Sequence, residues 1–104
     1  MSDSDPDRRS DDVETRSVQL IDHALQAMLN EHAVQGWELV DVDDSYVAHM
    51  QRPVEGAQPW EYATVLIVPA ARDAILQQWT AMGYELALER GKVAYLRRPK
   101  ESAR

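Results

Sequence analysis

Gly36-Trp37-Glu38-Leu39-Val40 is met a second time as Gly83-Tyr84-Glu85-Leu86-Ala87, with the same kinds of segment on either side. A helix-patterned stretch precedes each copy. A strand-like run follows each, Val47-Ala48-His49-Met50-Gln51-Arg52-Pro53 in the first half and Val93-Ala94-Tyr95-Leu96-Arg97-Arg98-Pro99 in the second. The chain therefore reads as one unit used twice: helix, Gly, strand, turn, strand, Arg-Pro.

Before the first copy, Leu20, Ile21, Ala24, Leu25, Met28, Leu29 and His32 recur at three- and four-residue spacing, one apolar stripe of an amphipathic helix that Gly36 ends as a left-handed residue. Asp11-Asp12-Val13-Glu14 is a capping-box-like start, which makes Val13 to Val18 the expected first turns of that helix. After Gly36 the period changes to two. Trp37 and Leu39 fall on one face and Glu38, Val40 and Val42 on the other, the pattern of a strand. Asp43-Asp44-Ser45 turns into the partner strand, and Val54 to Pro59 links the copies.

In the second copy Trp60 to Val68 is aromatic and β-branched on both faces, the mark of a central strand. Pro69 suits the first turn of a helix whose inner face is Ala71, Ala74, Ile75, Trp79 and Met82, and Gly83 stops it. The expected fold is α+β: a single domain over 12–99 made of two pseudo-repeats, 12–53 and 60–99. These build an antiparallel sheet of about five strands with two helices packed on one face. Residues 1–11 form an acidic tail with no apolar side chain after Met1 to Val13 and are expected to be disordered. Residues 100–104 are a short basic tail.

The chain has 104 residues, which allows one core, and a formal net charge of −7. Residues 1–55 carry thirteen acidic and four basic side chains, and residues 56–104 carry five and seven. Overall acidity argues against nucleic acid and anionic membrane as partners, whereas the asymmetry favours contact between opposite halves of two molecules. There is no cysteine, which excludes disulfides, thiolate metal sites and thiol nucleophiles. No apolar run approaches the roughly 18 residues of a membrane span, and the N-terminus lacks the basic and apolar regions of a signal, so a cytoplasmic location is expected.

On Gly36-Trp37-Glu38-Leu39-Val40, the second-half order Trp60–Val68, helix, Gly83-Tyr84-Glu85-Leu86, and the closing Arg52-Pro53 and Arg98-Pro99, the chain resembles the small bacterial family called domain of unknown function 4177, in two tandem copies. The first copy matches from its helix onward. The resemblance implies the fold and brings no activity, cofactor or catalytic residue with it.

Several groupings were candidates for chemistry. His23, His32 and His49 with Asp22, Asp41, Asp43 and Asp44 are metal-ligand types, but the histidine spacing matches no ligand motif, so no metal is expected. Glu38 and Glu85, at matching places in both copies, would suit acid–base work if they converged. Arg90, Lys92, Arg97, Arg98, Lys100 and Arg104 with Tyr95 would suit nucleic acid, but Arg97 and Arg98 alternate across a strand. The expectation is therefore a small non-catalytic interaction or accessory module without cofactor. It would be a homodimer or bound to a protein partner through a sheet face containing Val40, Val42, Val65 and Ile67. The alternative is a small-molecule binding protein or minor enzyme with a pocket lined by Trp37, Tyr62, Trp79 and Tyr84.

Overall fold

In the computed structural model, residues 13–100 are described. The expected tail at 1–11, and all but Lys100 of the one at 100–104, lie outside them. The order strand, 3-10 turn, helix, two strands occurs twice. The first half contains β1 (Val13–Gln19), a turn (Asp22–Ala24), α1 (Leu25–Ala33), β2 (Glu38–Val42) and β3 (Val47–Pro53). The second contains β4 (Trp60–Leu66), a turn (Pro69–Ala71), α2 (Arg72–Thr80), β5 (Glu85–Arg90) and β6 (Val93–Pro99). The class is α+β. Instead of one five-stranded sheet there are two antiparallel three-stranded sheets, ordered β1-β3-β2 and β4-β6-β5.

The sixth strand is β1, where the capping-box reading predicts helix. Its inner positions, Glu14, Arg16 and Val18, lie opposite Arg52, Met50 and Ala48. Two of these three are charged, so the alternation is hidden in composition. The guanidinium of Arg16 nevertheless lies over the Trp37 ring, with Cζ 4.2 Å from its centre, and does the covering that an apolar residue would do.

A β-bulge between Leu39 and Asp41 also changes the expected faces of β2. The extra residue is Val40, 53 % exposed, and beyond it Val42 returns to the face of Leu39 and is fully buried. β5 carries the same irregularity between Leu86 and Leu88.

Two cores result. The larger joins Leu25, Leu29 and Ala33 of α1 to Trp37, Leu39, Val42, Ala48 and Met50, and also to Tyr62 and Tyr95 of the second sheet. The smaller lies on that sheet's other face, where Ala63, Ile67, Ala94 and Leu96 meet Ile75, Leu76 and Trp79 of α2. Both faces of β4 are apolar because α2 covers one and the first half covers the other at Tyr62, with Leu66 at the end of the strand left exposed. The sequence reading left one face for a partner because it placed both helices on the same side of a single sheet. Among the described residues, no helix is long and apolar enough to cross a membrane.

Candidate interaction surface

The repeated sequence signature proves to be a clasp. Gly36 and Gly83 have φ of 95° and 93°, the left-handed conformation predicted at the helix ends. Each reverses the chain so that the next aromatic turns inward, with Trp37 N–H donating to the His32 carbonyl and Tyr84 N–H to that of Trp79. The arginine of each Arg-Pro then closes over the ring: Arg52 is 4.6 Å from the centre of Trp37, and Arg98 4.4 Å from that of Tyr84. Arg52 also donates to the Gln35 carbonyl and to Glu14, and Arg98 to the Met82 carbonyl and to Glu61. Glycine, aromatic and arginine were legible as a motif. Their acidic partners Glu14 and Glu61 were missed, since each sits on a strand far away in sequence.

The remaining candidates separate. Trp37 and Tyr62 belong to the larger core, Trp79 and Tyr84 to the smaller, so the four do not line one pocket. Trp79 and Tyr84 meet edge to face at 5.2 Å. Val42 and Ile67 are buried and Val65 packs against the smaller core, so of the expected interaction residues only Val40 is at the surface. Glu38 and Glu85 do converge, but on a cation: Arg97 donates to Glu38 at 3.2 Å and to Glu85 at 3.0 Å while lying over Trp60. Arg90 pairs with Asp44 at 2.9 Å, and Arg98 with Glu61. Tyr95 is fully buried and offers no stacking face. Arg90 and Arg97 thus join the basic half to the acidic half, and Arg98 pairs within its own half, instead of all three forming a basic stripe.

The histidines enter three different surroundings. His23 is exposed in the turn before α1. His32 Nδ1 lies 2.8 Å from an Arg16 Nη, and burial followed by that guanidinium holds the imidazole below its ordinary pKa of 6.5. His49 stands between Ser17 and Asp43, with Nδ1 3.2 Å from the Ser17 hydroxyl and Nε2 3.1 Å from the carboxylate. Hydrogen bonds from Val47 N–H, His49 and Ser45 N–H hold the Asp43 carboxyl below its usual range. No spacing in the sequence announces this hydroxyl, imidazole and carboxylate row. It lies on the open face of the first sheet, with Ser17 exposed and His49 and Asp43 44 % and 41 % exposed, without the water-excluded setting in which such a relay gains strength.

The surface that stands out is an edge. β4 has its outer edge covered by α1: Asn30 Nδ2 donates to the Tyr62 carbonyl at 3.0 Å, Asn30 Oδ1 accepts from Tyr62 N–H at 2.7 Å, and Gln26 Oε1 accepts from Thr64 N–H at 3.0 Å. Spaced one helical turn apart, the two side chains replace a neighbouring strand. Among the described residues β1 pairs with β3 alone, and six of its seven residues are exposed. No protein-family model matches this sequence, and comparisons with curated proteins and with solved structures gave no match.

Proposed function

We propose that this chain is a small non-catalytic interaction or accessory module, cytoplasmic, built from two copies of one unit, related to the family it resembles, and self-associating through its sheet. The observation that supports this is the edge of β1, seven residues long and unpaired among the described residues, at the side of a sheet whose inner face is already closed. An unpaired edge presents a row of backbone donors and acceptors, and proteins seldom leave one of this length without a cover. The repeated signature supports the same reading, because its glycines, aromatics and arginines are engaged in holding helix to sheet.

Amide hydrogen exchange tests it. Thr15 and Ser17 should exchange quickly in dilute protein and become protected as concentration rises. Equal exchange at all concentrations, with a monomeric mass throughout, would remove the proposal.

A further inference from the structure

The docking of α1 on β4 has two halves, and each half occurs a second time with nothing upon it among the described residues. Thr15 and Ser17 hold on β1 the places that Tyr62 and Thr64 hold on β4. Thr15 lies opposite Gln51 and Ser17 opposite His49, as Tyr62 lies opposite Arg97 and Thr64 opposite Tyr95, in registers that both begin at a proline. Their N–H groups therefore point away from β3, as those of Tyr62 and Thr64 point away from β6 toward α1.

The other half is on α2. Asp73 and Gln77 precede Gly83 by ten and six residues, as Gln26 and Asn30 precede Gly36. Gln77 has the donor and acceptor that Asn30 uses, and Asp73 has the acceptor, which is all that Gln26 contributes to Thr64. Both are exposed and line a shallow groove with Leu76, Thr80 and Ala81. Burial shows the same vacancy of cover: Leu29 and Ala33 of α1 are fully buried, whereas α2 has no fully buried residue, Leu76 being half-buried and Thr80 exposed at the matching positions.

We infer that a second copy of this chain supplies the cover, with α2 of one copy docking along the β1 edge of another through Gln77 on Thr15 and Asp73 on Ser17. The inference rests on the self-association reading above and names its surface. The contact is head to tail and brings the mildly basic half of one copy to the acidic half of the next, the direction in which the charges attract. Because its two sides differ, it closes into a ring or continues as a chain according to the rotation per step. It is weaker than the docking within the chain, since Thr15, His49 and Gln51 stand where Tyr62, Tyr95 and Arg97 stand in the second sheet.

Sedimentation equilibrium of the full chain at high micromolar concentration, with mixing, decides the matter. Thr15→Pro damages the edge and keeps α2; Asp73→Ala with Gln77→Ala damages α2 and keeps the edge. Each alone should be monomeric, and a one-to-one mixture should form a heterodimer, because each retains the half that the other lacks. A mixture that stays monomeric overturns the head-to-tail contact. An α2 double variant that associates like the wild type also overturns it, by showing edge-to-edge pairing of β1 or another surface, and leaves self-association standing. A wild type that is monomeric throughout removes both. Far-UV circular dichroism checks folding; should proline unfold β1, the α2 variant still decides, loss of association supporting the contact and retention overturning it.

Discussion

Asn30 and Tyr62 are bonded as two strands would be: one side-chain amide both donates to and accepts from a single residue's backbone, at 3.0 and 2.7 Å. A helix thereby closes the edge of a sheet belonging to the other half of the chain. Asn30→Ala should destabilise the fold by about 2 kcal/mol, because it leaves a partly buried N–H and carbonyl unpaired. Gln26→Ala, on an exposed bond, should cost less than about 1 kcal/mol. Urea denaturation measures both.

The hydroxyl of Tyr62 accepts from the buried Leu39 N–H at 2.7 Å, whereas the buried hydroxyl of Tyr95 has no partner among the described residues. Tyr62→Phe should therefore cost about 1–3 kcal/mol, and Tyr95→Phe should be neutral or slightly stabilising. Equal losses would contradict the pairing.

Gly36 and Gly83 share a backbone conformation and differ in space. A Cβ on Gly36 would lie 2.5 Å from the Cβ of Ala57 in the linker; on Gly83 the nearest atom is Arg98 Cδ at 3.9 Å. Gly83→Ala should cost about 1 kcal/mol for the positive φ alone, and Gly36→Ala should cost more. The two thermal midpoints, compared under one set of conditions, check the order.

His32 gives the fold a pH dependence with a defined sign. Its imidazole is held below 6.5 in the folded state, so above that pH both states are neutral and nothing is lost. As pH falls below 6.5 the unfolded chain takes up the proton first, and stability declines until the folded pKa has been passed. Asp43 acts at lower pH, where the stability it contributes above its ordinary value of 3.8 is lost as pH falls through its depressed folded value. Thermal midpoints between pH 7 and about 5 should fall for the wild type and flatten in His32→Gln, which keeps an acceptor for Arg16.

Much of the fold was legible because it rests on local chemistry. Gly36 and Gly83 stop helices since only glycine adopts a positive φ without strain, and the turn at Asp43 separates runs of period two. The α+β class follows from those elements alone. The candidate surface was less legible. Val65 and Ile67 are expected at an interface because they share the side of an apolar strand that two helices on one face would leave uncovered, and the structure covers that side with α2.

What only the tertiary structure decided depends on residues distant in sequence. β1 is a strand because β3 satisfies its backbone and because Arg16 finds Trp37 to lie on; neither partner is visible from Val13 to Gln19 itself. The bulge at Val40 places Val42 in the core, and one extra residue reverses every side chain beyond it without altering composition. The sequence determined which segments are helix-stopped, strand-like and repeated, since φ preferences and hydrophobic period are properties of a few neighbouring residues. Which edge is closed by Asn30 and which, among the described residues, is left open at Thr15 was settled only when the two halves packed, because a backbone N–H carries no sign in the sequence of whether another element will reach it.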